Sequence, residues 1–123
     1  MIAGLALLLV ACVSATRAEP IAIPAGALEV RAADRAFAPS RLSVQAGQPF
    51  VLYFANGDTL PHNVVIIGSS GTRMFVGEIF SGVAQRIQDV PSLAPGVYQL
   101  HCDLHPEMTG DLEATLSAAQ TST

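Results

Sequence analysis

From Leu28 onward, apolar and polar residues alternate with a period of two, and this pattern constrains the fold more than any other feature of the chain. The segment 28–33 reads LEVRAA and the segment 42–45 reads LSVQ, whereas the segment 50–54, FVLYF, is almost continuously apolar. A period of two places successive side chains on opposite faces of a β-strand, and a short continuous apolar run is typical of a central strand. No segment has convincing helical periodicity. We therefore predict an all-β chain.

Turn-forming residues separate the apolar segments, and they fall at Ala46-Gly47, Asn56-Gly57-Asp58, Ser81-Gly82 and Ala94-Pro95-Gly96. Besides the segments above, strands are predicted at 64–67, 74–80, 84–90, 97–102 and 111–116. About eight short strands at roughly 8–12-residue spacing favour a Greek-key β-sandwich. A chain of 123 residues fits one domain. We place it at 28–116, after a linker at 19–27 and before a flexible tail at 117–123.

The N-terminal segment is apolar up to Val13 and then becomes small and polar. The apolar run is too short for a stable transmembrane helix and is typical of an export signal. In one processing route, residues 1–18 are removed and the chain begins at Glu19. In a second route, Leu9-Val10-Ala11-Cys12 serves as a bacterial lipobox, residues 1–11 are removed and Cys12 carries a lipid anchor. An uncleaved anchor is the third alternative. The first two routes predict a periplasmic protein without a membrane span.

The charge and the cysteine content of the chain reduce the number of possible function classes. The chain has 10 acidic and 6 basic residues, and all the basic residues are arginines without a cluster. This distribution argues against a nucleic-acid partner. If Cys12 is removed or lipidated, Cys102 has no disulfide partner in an oxidising compartment. Because an unpaired exported thiol is a liability unless something protects it, Cys102 favours a bound metal.

Residues 98–110, YQLHCDLHPEMTG, hold two of the three histidines, one of the two cysteines and one of the three methionines, with the spacing Cys102-x-x-His105-x-x-Met108. Strand alternation puts Cys102 on the face of the core residues and His101 on the opposite face. His101 is therefore predicted to be an exposed strand residue and not a ligand.

The third histidine, His62, begins an apolar strand forty residues before Cys102. At one pole of a sandwich it could meet Cys102 and His105. Two imidazoles and a thiolate with a weak thioether form the donor set of a blue-copper site. A structural zinc site would hardly use methionine.

The segments PHNV (61–64) and HCDLHPEM (101–108) resemble the small blue copper proteins, the cupredoxins, and the short ligand loop is similar to that of amicyanin. The resemblance covers roughly residues 28–116, including FAPSRLSVQAG (37–47). It implies one type 1 copper per chain, with His62, Cys102 and His105 as equatorial ligands and Met108 as the axial ligand. It also implies that Asn63 ties its strand to the ligand loop.

Two residues depart from the family pattern, which usually has Ser or Thr and then Pro after the cysteine. This chain has Asp103 and Leu104 there. Asp103 can accept a hydrogen bond from Asn63, and its charge favours Cu(II). Leu104 keeps its backbone N–H, which can donate to the Cys102 sulfur and favour Cu(I). Because the two effects oppose each other, we expect no large net change in reduction potential.

The resemblance implies a monomeric one-electron carrier whose redox partners dock transiently near His105, on an apolar patch of Pro61, Leu104 and Pro106. The alternative is a periplasmic copper-binding or copper-delivery protein with the same ligands. Such a protein is expected to hold Cu(I) in an open, often Met-rich site, whereas only Met74 and Met108 follow the signal. An enzyme is disfavoured, because three histidines cannot supply the further clusters that catalytic coppers need. A Cys/His hydrolase would leave the methionine spacing unexplained.

Overall fold

The structure is a computed structural model that describes residues 19–117. Within this range the chain forms nine strands and no helix. The strands are β1 (Leu28–Ala33), β2 (Ala36–Ala38), β3 (Arg41–Gln45), β4 (Phe50–Asn56), β5 (Val65–Gly68), β6 (Arg73–Val76), β7 (Ala84–Val90), β8 (Gly96–His101) and β9 (Thr109–Thr115). Accordingly, residues 19–117 contain no helix that is long and apolar enough to cross a membrane.

The strands form two sheets, and this arrangement confirms the predicted β-sandwich. One sheet has the order β2-β1-β4-β7, and the other has the order β3-β9-β8-β5-β6. Both are mixed, because β1 pairs with β4 and β3 pairs with β9 in parallel, while the other pairs are antiparallel. All nine strands fall within the predicted domain 28–116. The proposed signal, including Cys12, and all of the predicted tail except Ser117 lie outside the described residues.

Two local features differ from the predicted strands. The three-residue strand β2 is additional, and the predicted strand 74–80 is wrong in its second half, because β6 ends at Val76. From there the chain crosses to the other sheet, and the Gly77 amide donates a hydrogen bond to the Val64 carbonyl. Phe80 then forms an isolated antiparallel bridge with His62. The crossing segment thereby holds the chain around His62 from one side.

Apolar side chains from both sheets fill the space between them. Phe54 of β4 is fully buried, and its ring makes edge contacts with Phe37 and Phe80 at centroid distances of 6.3 and 5.5 Å. Cys102 and Met108 belong to the same core cluster. The candidate metal ligands are therefore continuous with the hydrophobic core, which limits their freedom to move.

Candidate metal centre

His62, Cys102 and His105 converge at one end of the sandwich, as the sequence predicted. Their ligand atoms all lie within 4.8 Å of one another. Among the described residues, no other group of three or more histidine, cysteine or acidic side chains brings its ligand atoms this close together. His62 precedes β5, whereas Cys102 and His105 follow β8, and β5 and β8 are neighbours in the sheet. The pairing of these two strands brings together residues that lie forty positions apart in the chain.

The donor atoms fit a metal ion of trigonal geometry. The Cys102 Sγ lies 3.9 Å from Nδ1 of His62 and 3.7 Å from Nδ1 of His105. Metal–sulfur and metal–nitrogen bonds of about 2.3 and 2.05 Å, set about 120° apart, separate the two donor atoms by about 3.8 Å. The two imidazole rings are tilted by 53° with centroids 4.7 Å apart, so neither ring stacks flat on the other. The donor types and their spacing therefore suit a copper ion.

Burial divides the three donors into two classes. The side chains of His62 and Cys102 are fully buried, whereas His105 is partly exposed. One imidazole edge thus reaches the protein surface while the thiol stays away from solvent.

Met108 closes the ligand loop, which we define as residues 102–108. Its amide donates to the His105 carbonyl at 2.9 Å, and its carbonyl accepts from the Cys102 amide at 3.3 Å. The Met108 side chain is fully buried within the core cluster. These bonds fix the two ends of the loop against each other, which holds Cys102, His105 and Met108 in a compact turn.

Asp58 orients His62, and sequence reasoning missed this residue. Both carboxylate oxygens lie 3.0 Å from Nε2 of His62. Because a carboxylate only accepts, Nε2 donates this hydrogen bond, and Nδ1 is the nitrogen that faces Cys102. Burial raises the pKa of Asp58, but hydrogen bonds from His62 and from the Leu60 amide outweigh this effect and hold the pKa below its usual value. The signal in the sequence was a carboxylate four residues before a buried histidine that needs a partner for its second nitrogen.

The loop that carries Asp58 is itself fixed by Asn56, a buried residue at the end of β4. The Asn56 side-chain amide donates to the carbonyls of Leu60 and Phe80 at 2.8 and 3.1 Å, and its oxygen accepts from the Asp58 amide at 3.0 Å. Asp58 in turn accepts from the Leu60 amide. The turn predicted at Asn56-Gly57-Asp58 is therefore a support for the first histidine and not only a connection between strands.

Asp58→Ala is expected to destabilise the protein and to weaken metal binding. The variant leaves the buried Nε2–H of His62 without an acceptor, which costs about 1–3 kcal/mol. Losing the partner that orients a ligating histidine lowers metal affinity by about 10–100-fold. Denaturant unfolding of the metal-free protein and competition titration with a copper chelator measure the two effects separately.

Asp58→Asn is the matched control for that variant, since it keeps an oxygen acceptor of the same shape. It is expected to retain most of the stability and to lose less affinity than Asp58→Ala. Equal losses in both variants would contradict the orienting role of the acceptor.

Asn63 joins the first histidine to the ligand loop in two directions. Its side-chain oxygen accepts from the Asp103 amide at 2.9 Å, and its Nδ2 donates to the Asp103 carboxylate at 3.1 Å and to the Gly77 carbonyl at 3.2 Å. The expected bond from Asn63 to Asp103 is therefore present. The Leu104 amide makes no hydrogen bond to the Cys102 sulfur in the part of the chain that is described.

The charge of Asp103 is not isolated, which sequence reasoning did not foresee. Arg73 donates two hydrogen bonds to its carboxylate, and these lower the pKa of Asp103 below its usual value. His101 lies on the opposite face from the core, with Nε2 3.8 Å from an Asp103 oxygen, and it is not a member of the donor cluster. The exclusion of His101 from the ligands agrees with this geometry, but its side chain is half-buried and not exposed as predicted.

The family follows from comparison with known proteins. The cupredoxin-like domain model matches residues 3–113. This chain belongs to the cupredoxin-like family. No curated protein matches it.

Solved structures with the same fold include auracyanins and amicyanins. The auracyanin of Roseiflexus castenholzii has 17% sequence identity and a TM-score of 0.65, covering 72% of this cupredoxin and 96% of that chain. Auracyanin A of Chloroflexus aurantiacus, described as a blue copper protein, has 18% identity and a TM-score of 0.64, covering 79% and 100%. Amicyanin of Paracoccus versutus has 26% identity and a TM-score of 0.60, covering 81% and 94%.

Proposed function

We propose that this cupredoxin is a periplasmic type 1 copper protein that carries single electrons between redox partners by cycling between Cu(I) and Cu(II). The observation that carries the proposal is the convergence of two imidazole nitrogens on one buried thiol, with their separations matching a trigonal ion. His62, Cys102 and His105 would be the equatorial ligands. Met108, buried at the end of the ligand loop, would be the axial ligand.

The chain supplies a rigid and chemically mixed set of donors. Bound copper would supply the one-electron couple; thiolate and thioether favour Cu(I), while imidazole suits both oxidation states. His62 is held by Asp58, and the ligand loop is held by its own backbone bonds. A site fixed from both sides has little freedom to rearrange between oxidation states, which favours rapid electron exchange over catalysis.

Electrons would enter and leave through His105, the partly exposed ligand. The three apolar residues of the predicted docking patch are exposed: Pro61, Pro106 and Leu104, the last by 44%. An apolar patch beside a partly exposed ligand suits the small, transient interfaces of redox partners. The net charge of −4 favours partners with a positively charged docking surface.

Export and assembly state belong to the same proposal. We assign residues 1–18 to a removable signal, with the alternative of lipidation at Cys12 after a signal of residues 1–11. The mature domain at 28–116 would act as a monomer with one copper.

No enzymatic role is included in the proposal. The chain has three histidines, and two of them are in the proposed copper site. His101 lies outside it and is paired with Asp103. The donors for a second, catalytic copper are therefore lacking within residues 19–117.

Loading the purified protein with Cu(II) tests the proposal against the copper-delivery alternative. We expect an intense thiolate-to-Cu(II) band in the visible spectrum, a type 1 paramagnetic resonance signal and reversible one-electron cycling. A colourless protein that gives up its copper readily to a chelator would support delivery instead.

A further inference from the structure

Arg73 makes a two-point ion pair with Asp103, the residue that follows the proposed ligand Cys102. The guanidinium donates from NH1 to Oδ1 at 2.9 Å and from NH2 to Oδ2 at 2.8 Å. Arg73 begins the edge strand β6, whereas Asp103 follows β8, and β5 lies between these strands. The pair therefore spans a whole strand and ties the edge of the sheet to the ligand loop.

A β-bulge puts Arg73 on the correct face for this contact. Phe75 pairs with Ile66 and packs against the core, but the next pair along the two strands joins Ile67 to Arg73. Met74 is thus the extra residue on β6, and it interrupts the regular alternation. In a regular strand Arg73 would share the core-facing side of Phe75. With the bulge it shares the face of Ile67, from which it reaches Asp103.

The Asp103 carboxylate lies where its charge can act on the proposed copper site. It follows directly on Cys102, and the Asp103 side chain is 25% exposed. Its own amide is bonded to Asn63, so carboxylate and backbone are both tied into one network. A bidentate guanidinium fixes a carboxylate in orientation as well as balancing its charge, which a single-point contact does not.

We propose that Arg73 is a positioning residue of the metal centre, which holds the Cys102–Asp103 segment in place and cancels the charge of Asp103 beside the copper ligand. The effect on copper rests on the proposed function, whereas the effect on the segment is a property of the metal-free protein. The two parts can therefore be tested independently.

Arg73→Gln, Arg73→Lys and Arg41→Gln form the set of variants. Arg41 is the matched control, since its ion pair with Asp111 is longer, 3.9 Å, and joins β3 to β9 on the same sheet. Both glutamine variants remove one positive charge. The lysine variant keeps the charge but loses the two-point geometry.

The first measurement is hydrogen exchange of the Asp103 amide in the metal-free protein. Arg73→Gln is expected to speed this exchange by about threefold or more, because the amide bond to Asn63 loses its support from the side-chain pair. Arg73→Lys is expected to have an intermediate effect, and Arg41→Gln none. Equal rates in all three variants and the wild type would overturn the positioning role, whether or not the protein binds copper.

The second measurement is the reduction potential of the copper-loaded protein. Arg73→Gln leaves the negative charge of Asp103 uncompensated, so the reduction potential is expected to fall. The expected fall corresponds to a change of about threefold to tenfold in the ratio of the Cu(I) and Cu(II) affinities. A tenfold change is equivalent to about 59 mV for a one-electron couple. Arg73→Lys should stay close to the wild type. Asp103→Asn, which removes the negative charge that Arg73 balances, is expected to raise the potential. A potential that Arg73→Gln leaves unchanged, or that Arg41→Gln lowers equally, would overturn the charge-cancelling role.

Discussion

Cys102→Ser is expected to abolish the intense visible absorption of the copper-loaded protein. That band requires charge transfer from a thiolate to Cu(II), and Cys102 is the sole thiol within residues 19–117. Its sulfur is fully buried and lies 3.7–3.9 Å from the two imidazole nitrogens, so no other side chain can replace it. Serine is nearly isosteric and should leave the sandwich folded. Visible spectroscopy of the loaded variant, with circular dichroism to check the fold, measures the outcome.

His101→Gln is the control for that experiment. His101 precedes the cysteine directly, but it points away from the core and lies outside the donor cluster. Its replacement should leave the band in place. A band that survives in Cys102→Ser, or that disappears in His101→Gln, would contradict the ligand assignment.

Gly77→Ala is expected to destabilise the protein by about 2–4 kcal/mol, because the segment around Gly77 has no room for a side chain. A Cβ at this position would lie 2.7 Å from the Val64 carbonyl oxygen, 3.1 Å from the Gln88 side-chain oxygen and 3.3 Å from the Phe75 ring. The closest of these atoms is backbone, which cannot rotate away. The Gly77 amide also donates to that same carbonyl at 2.8 Å, so the contact is a fixed part of the crossing between the sheets.

The same substitution is expected to weaken copper binding. The Gly77 carbonyl accepts from Asn63, and the strained contact would push on Val64, so both residues that follow His62 would shift. Denaturant unfolding of the metal-free protein and chelator competition measure stability and affinity.

Gly68→Ala is the matched control, since a Cβ there would meet its nearest neighbours, Thr72 and Met74, at 3.8–3.9 Å. These are ordinary van der Waals distances. If both alanine variants lose the same stability, close packing at Gly77 is not the cause.

The alternation of apolar residues was sufficient to predict the sandwich and the orientation of the ligand strand. Tyr98, Leu100 and Cys102 are buried, whereas Gln99 between them is exposed, as the period of two required. The prediction was wrong at 74–80, where an apolar run suggested a single strand. A run of this kind does not show where the chain leaves one sheet for the other, because that crossing depends on a close backbone contact between Gly77 and Val64.

The three clustered donors could also be predicted, but their charged partners could not. The spacing Cys-x-x-His and a histidine at the start of a strand are visible in the sequence, and the pairing of β5 with β8 brings them together. The contact of Arg73 with Asp103 depends on strand order and on a one-residue bulge. Neither the strand order nor the bulge can be recognised from the hydrophobic pattern of the sequence. The sequence predicts Asp58 only as part of a turn, because the identity of a turn residue does not indicate what its side chain contacts.

The position of β9 determines when the metal site can form during folding. β9 lies between β3 and β8, and its pairing with β3 joins residues as far apart in the chain as Arg41 and Asp111. Contacts between such distant segments form slowly, because a long loop must be closed first. The ligand loop is anchored at its C-terminal end by β9, so its donors are fixed only after this late strand has entered the sheet. A chain in which β9 has not yet paired would therefore present His62 without fixed partners, and metal binding is expected to follow the completion of the fold.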